Sequence, residues 1–251
     1  MSRMATMPKL VFFLLFLVAA AAAAQPSRTG RAQAGEHECL LEPHLMVNVG
    51  SPVTGVLEQV VVDRGAFVAK GQVVARLQAQ VEAAIVEVRK ARLEFGSRKA
   101  ERNEELFKKQ LISVHDKDEL ETNNRLAELE LREAQENLNL KIIRSPIGGV
   151  VMERYLAPGD LVRQEKILKL AQIDPLNVEV VLPSELHGTV RMGMGGDVRI
   201  ESAAPTHAKA RIVSIDRVID AASGTFRVRL ELPNPDNRIP AGLKCRVRFS
   251  G

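Results

Sequence analysis

The sequence predicts an α+β chain, mostly β: a pseudo-symmetric β-sandwich split by an antiparallel α-helical coiled-coil hairpin, then a small antiparallel β-barrel. Three observations predict it. The stretch Ser51 to Leu77, SPVTGVLEQVVVDRGAFVAKGQVVARL, recurs as Ser145 to Ala171, SPIGGVVMERYLAPGDLVRQEKILKLA, at one gapless offset of 94 residues. Ser51 pairs with Ser145, Pro52 with Pro146, Gly55 with Gly149, Val56 with Val150, Gly65 with Gly159 and Val68 with Val162. Between the copies, Ala79 to Leu140 contains only Gly96 as a glycine and no proline. Beyond them, short apolar runs alternate with Pro, Gly and Asn clusters. Two copies are too few for a solenoid, which needs about three or more stacked units, so the halves are expected to make one sandwich.

The N-terminus sets the compartment. Arg3 and Lys9 precede the apolar run Leu10 to Val18, and Ala19 to Ala24 supplies small residues for a cleavage site before Gln25. Residues 1–24 read as a secretory signal peptide. The rival is an uncleaved inner-membrane anchor, but about 15 apolar residues fall short of the roughly 20 that a spanning helix needs. No cysteine stands at the cleavage point, and no other stretch is apolar enough to span. Gln25 to Glu38 is polar without a period and reads as a linker, residues 25–44 forming linker and lead-in strand.

Residues 45–78 hold the first half-motif. Val53, Val56 and Leu57, then Val60 to Val62, then Val73, Val74 and Leu77 read as strands separated by turns at Asp63-Arg64-Gly65 and Lys70-Gly71. In the insert, 79–140, Leu120, Asn124, Ala127, Leu131, Ala134 and Leu138 recur at heptad spacing with one polar position. The first helix offers Val81, Ala84, Ile85, Val88, Ala91 and Phe95 on one face, which is expected to meet that seam. The reversal falls at Gln110 to Val114, with Ser113 capping the second helix and Asp116 in its first turn. Each arm has about 27 to 32 residues, so the hairpin projects about 40 to 48 Å. A fold that needs only a core has no use for such a spike. Residues 141–172 complete the second half-motif. In 173–251 the runs Val178–Leu182, Val198–Ile200, Ala210–Val213, Phe226–Leu232 and Cys245–Phe249 predict the barrel.

Several chemistries are excluded. With no Trp, one Tyr and eight Phe, stacking on bases is not the activity. Removing Arg3 and Lys9 leaves 33 basic against 31 acidic residues, or +2, which is no phosphate-binding footprint. The five His lack Ser/Cys and acid partners at motif spacing, and RMGMGGDV has no strand-then-helix setting and reads as a barrel turn. Glu36, His37, Cys39 and His44 show no zinc spacing and read as polar lead-in. Cys39 and Cys245, near opposite ends of an exported chain, either bridge or remain two buried thiols.

The half-motif S-P-[VI]-x-G-V, followed nine residues later by another Gly, resembles the biotinyl/lipoyl module. The hairpin lysine that bears the cofactor in such carriers has been replaced here by the whole insert, so no cofactor is expected. A lipoyl-like module split by a helical hairpin and followed by a β-barrel is similar to the periplasmic adaptor (membrane fusion) proteins of tripartite efflux systems. TFRVRLELPNPDNRIPAGLKCRVRF, Thr225 to Phe249, matches the family's closing pattern, with Ala241 and Leu243 where Pro and Met are usual. Arg102, Leu106 and Ser113 match the spacing of the family's channel-docking tip. Taken singly, Leu106 reads as hairpin core, Arg102 as a solvated charge and Ser113 as a helix cap. The resemblance implies a non-enzymatic adaptor in the periplasm, assembled as a homo-oligomeric ring between an inner-membrane transporter and an outer-membrane channel. It also implies a short form, since only Ser250 and Gly251 follow the closing strand. The alternative is an exported lipoyl-like binding module that delivers a ligand or metal to a transporter, with Met46, Met192 and Met194 as soft ligands.

Overall fold

Alternation of inward and outward positions marks the strands of the C-terminal half. In Thr225–Leu232 the residues Phe226, Val228, Leu230 and Leu232 are buried while Arg227 and Arg229 stay in solvent. The computed structural model describes residues 35–202 and 206–250, so the expected signal peptide and the linker up to residue 34 lie outside the described residues. The elements run β1 (Glu36–Gly50), β2 (Gly55–Val60), β3 (Phe67–Val68), β4 (Val73–Leu77), α1 (Gln80–Lys108), α2 (Val114–Asn139), β5 (Ile142–Arg144), β6 (Gly149–Arg154), β7 (Leu161–Val162), β8 (Lys166–Pro183), β9 (Gly195–Ile200), β10 (Thr206–Ile215), β11 (Thr225–Leu232) and β12 (Lys244–Ser250).

Six strands close a barrel in the order β1-β12-β9-β10-β11-β8, with β8 pairing back onto β1. Closure removes the sheet edges. Its core includes Leu41, Val178, Leu182, Phe226, Val228, Leu230 and Val247, all at or below 2% exposure. Two strands are shared with a second, sandwich-like core: β8 pairs β11 through Leu176–Pro183 but pairs β6 through Leu168–Ala171, and β1 follows it on both stretches. The lead-in segment is therefore more ordered than its polarity suggests. Glu36–Glu38, expected as linker, are already ladder residues opposite Arg248–Arg246, because the neighbouring edge of β12 supplies partners for their backbone groups.

The two sequence copies are related by a pseudo-two-fold axis. Gly55 and Val56 pair with Val162 and Leu161, and the equivalent Gly149 and Val150 pair with Val68 and Phe67. Leu57 N–H donates to Asp160 at 2.9 Å and Val151 N–H to Ala66 at 2.9 Å; Gly159 N–H donates to Leu57 at 2.8 Å and Gly65 N–H to Val151 at 2.8 Å. Gly65 and Gly159 both need positive φ, 85° and 96°, which is why glycine stands at that position in each copy. Their shared core contains Leu57, Val74, Leu77, Ile143, Val162 and Ile167.

The junction of the two cores is fastened by Asn234, buried at 3% exposure. Its amide donates to the carbonyls of Ile173 and Ile239 at 2.9 Å each. Its own N–H donates to the Asp174 carboxylate at 2.9 Å, and its Oδ1 accepts from Ile239 N–H at 3.1 Å. A buried side-chain amide is tolerated only when satisfied in this way.

Candidate functional site

The insert leaves the sandwich at Leu77 and returns at Lys141, where Leu77 N–H donates to the Lys141 carbonyl at 2.9 Å. Lys141 also reaches Glu82 in the first turn of α1 at 2.9 Å, and that hydrogen bond holds the Glu82 carboxyl below its usual range. From this base α1 runs 29 residues, about 43 Å at 1.5 Å per residue. The helices are antiparallel, since Arg89 and Arg92 both meet Glu130 near the base, Ser97 donates to Asn124 midway, and Lys117 meets Glu104 near the tip.

The α2 seam is the expected one: Ala127 and Ala134 are buried, and Leu120, Asn124, Leu131 and Leu138 are half-buried. The α1 face is not. Val86, Leu93, Gly96, Ala100 and Phe107 turn toward α2, while Val81, Ile85, Val88 and Phe95 stay exposed. The reason sits at the middle of the seam: polar Asn124 needs room, and Gly96 supplies it, since a Cβ there would stand 2.9 Å from Asn124 Oδ1. That contact sets the rotation of α1.

At the tip α1 ends at Lys108, and Gln110 turns the chain with φ 58°. Leu111 N–H donates to Leu106 O at 2.9 Å, locking the turn onto the last helical residues. Ser113 begins α2 with a reciprocal cap: its Oγ accepts from Asp116 N–H at 3.1 Å, and its own N–H and hydroxyl donate to the Asp116 carboxylate at 3.0 and 2.7 Å. The Ser113 hydroxyl is the first cause, and its N–H the second, that hold the Asp116 carboxyl below the ordinary range. Lys117 closes the tip from the other arm, standing 4.7 Å from the Phe107 ring centre.

Arg102 and Leu106 sit one turn apart on α1. Arg102 is exposed and makes no hydrogen bond or ion pair among the described residues. Leu106 is 37% exposed, so it is not hairpin core. Leu111 and Val114, at 67% and 63% exposure, extend the apolar tip. Both escaped the sequence reading because they flank a helix break, where periodicity is silent, although two apolar residues on either side of a capping serine were a visible signal. Ser113, by contrast, spends its hydroxyl on its own helix.

Cys39 and Cys245 are cross-strand neighbours on β1 and β12, placed as a disulfide with Cα atoms 4.8 Å apart and buried at 8% and 1%. Met194 packs against the barrel core, and its sulfur accepts from Arg191 N–H at 3.0 Å. Among the described residues no three His, Cys, Asp or Glu side chains gather as a metal site, and no helix is long and apolar enough to cross a membrane.

A two-strand-shared pair of β cores, one interrupted by a helical hairpin, defines a barrel-sandwich hybrid followed by a β-barrel. The family described as "CzcB-like, barrel-sandwich hybrid domain" matches residues 45–172, and that described as "CusB-like, beta-barrel domain" matches residues 176–251. The chain belongs to the periplasmic adaptor (membrane fusion) protein family. Among solved structures it is similar to a MacA-MexA chimera containing the Pseudomonas aeruginosa MexA α-hairpin domain, at 21% identity and TM-score 0.71, covering 85% of this chain and 79% of that one. It is also similar to a putative efflux transporter from Bacteroides eggerthii, at 19% identity and TM-score 0.68, covering 85% and 68%. MacA from Actinobacillus actinomycetemcomitans matches at 20% identity and TM-score 0.62, covering 87% and 81%. No curated protein matches the sequence.

Proposed function

We propose that the protein is an exported, non-catalytic adaptor that joins an inner-membrane efflux transporter to an outer-membrane channel. Residues 1–24 direct export and are cleaved. The lipoyl-like halves, 45–78 and 141–172, pack side by side in a ring of copies, the barrel of 173–251 faces the transporter, and the coiled-coil hairpin of 79–140 reaches the channel. The Cys39–Cys245 bridge closes the barrel where β1 enters it.

The observation that carries this reading is the tip. An arm about 43 Å long ends in exposed Leu106, Leu111 and Val114 beside Arg102, a cation with no partner in its own hairpin. An unpaired cation beside exposed apolar residues suits contact with another protein better than support of the hairpin. Leu106 and Arg102 make the contact, and Ser113 shapes the turn that presents them.

Cells carrying Arg102→Asp should lose resistance to the exported compounds. The purified variant should melt within about 1 °C of the parent, because an exposed unpaired charge contributes well under about 1 kcal/mol to the fold. A cysteine placed at the tip should cross-link to the channel in the parent and fail to do so in the variant. Full resistance with undiminished cross-linking would return the tip to a purely structural role.

A further inference from the structure

We propose that the outer face of the barrel carries a binding site for a phosphate ester, seated where β12, β9 and β10 run side by side. The site lies outside the adaptor reading and does not depend on it. The strand register puts Glu36, Arg248, Asp197 and Lys209 in one row across β1, β12, β9 and β10, and Glu38, Arg246, Arg199 and His207 in the next. Val198 and Val247, between the rows, are fully buried in the core, so both rows face outward. All of these charged and histidine side chains except Glu38 line one cavity of about 420 Å³, within the range of small-ligand sites. Around it four side chains are basic, Arg199, Lys209, Arg246 and Arg248, and two acidic, Glu36 and Asp197, leaving +2 with His207 neutral. The balance of the whole chain conceals this, because acid gathers elsewhere: α2 holds eight acidic residues against three basic.

The cations are arranged for a ligand better than for the fold. Arg199 and Arg246 stand directly opposite each other, and like charges facing across a ladder are destabilising. The Nε of Arg199 is sealed from solvent and bonds nothing among the described residues, a state that native proteins rarely leave uncompensated. Carboxylates fix the poses. Glu36, its side chain 11% exposed, accepts from Nη2 of Arg199 at 3.2 Å and from Nη2 of Arg248 at 3.0 Å, while Glu201 accepts from Nε of Arg246 at 3.0 Å. A guanidinium has five N–H donors, so most of them remain for a ligand. The side chains of Lys209 and His207 have no polar partner among the described residues. Donors thus converge from three strands. A carboxylate offers two oxygens in one plane and fills a single guanidinium fork, whereas a phosphate group adds oxygens outside that plane and can engage several cations at once. Asp197 is the one carboxylate around the cavity without an ion pair, and it opposes any anion bound there.

Two probes test the site and separate its possible sources: glycerol 3-phosphate, titrated calorimetrically into the purified protein, and phosphatidylglycerol vesicles, followed by co-sedimentation. Binding of the first alone identifies a soluble phosphate ester, and binding of the vesicles alone a lipid headgroup. With either probe, Lys209→Gln should weaken binding at least about tenfold, as loss of a charge-assisted hydrogen bond does. Asp197→Asn should tighten it about threefold. Neither change should move Tm, since neither side chain has an ion pair to lose. Arg98→Gln, which removes the same charge from an exposed position on the hairpin, should leave binding as it is. Failure of both probes to bind would overturn the site. Equal weakening by Arg98→Gln and Lys209→Gln would overturn it too, since that is unspecific attraction to a cationic chain. Parent-like affinity in both Lys209→Gln and Asp197→Asn would place the anion somewhere other than this cavity.

Discussion

The barrel and the hairpin are built on opposite economies of side chain. The barrel hides Leu41, Phe226, Val228, Leu230 and Val247 at or below 2% exposure, whereas the hairpin, with more than fifty helical residues, buries only Ala127 and Ala134. Stability therefore resides in the closed β core, where apolar area leaves water in bulk. The hairpin holds itself with small residues, caps and ion pairs along its rim, and it leaves large apolar residues facing outward. A region whose surface is not consumed by its own core is free to carry contacts to other molecules, and substitutions there should separate function from folding.

The sharpest break in that contrast comes from the cysteines. Replacing Cys39 and Cys245 together with Ser should lower barrel stability by as much as about 5 kcal/mol in the chain-entropy account of a loop of this length, since the two are 206 residues apart in sequence. Urea unfolding with and without reductant measures it; identical midpoints would mean that the bridge is absent or idle. Phe226→Ala should cost about 3–5 kcal/mol, since the ring is 2% exposed and stacks edge-on to His187 at 4.9 Å. Thermal unfolding reads this directly, and a loss below about 1 kcal/mol would contradict the burial.

In the hairpin the scale falls. Ser113→Ala should cost about 1 kcal/mol, and hydrogen exchange should show faster opening confined to the tip, with barrel amides unchanged. The same cap has a pH signature. Asp116 has its folded pKa depressed, so its stabilisation is fully present above the ordinary aspartate range and fades as pH falls through the lowered folded value. Tip amides should therefore lose protection relative to their intrinsic exchange rates as the pH falls, while those of the barrel keep theirs. Smallest of all is Arg102→Asp, silent in unfolding and visible only in transport.

Much of the architecture was legible from the chain because it rested on period. The 94-residue offset gave the paired half-motifs, the absence of proline between Ala79 and Leu140 gave the hairpin, and alternation gave β8 to β12. What period could not decide was rotation. Helix α1 is apolar on two faces, Val81-Ile85-Val88-Phe95 and Val86-Leu93-Ala100-Phe107, and the first, which the periodicity favours, is the one left exposed. The deciding residue was Gly96, small opposite the single polar seam position Asn124. The reach of β1 was missed for a different reason: its ladder depends on β12 and β8, strands far away in sequence, so nothing local announced it. At the tip, Arg102, Leu106 and Ser113 were visible by spacing, but which of them is spent internally required the cap geometry.

The hydrogen bond between Leu77 and Lys141 at the foot of the insert has a consequence for the order of folding. The sandwich must unite strands whose partners lie about a hundred residues away, and contacts between distant segments are slow because closing a long loop costs entropy before any contact rewards it. Here the intervening chain is two helices that form locally, within about a microsecond each, and that zip together from their turn. As they do, they deliver β5 to β4 and shrink a wide closure to a short one. The projecting arm thus serves the molecule that carries it: it is the jig on which the split module is assembled.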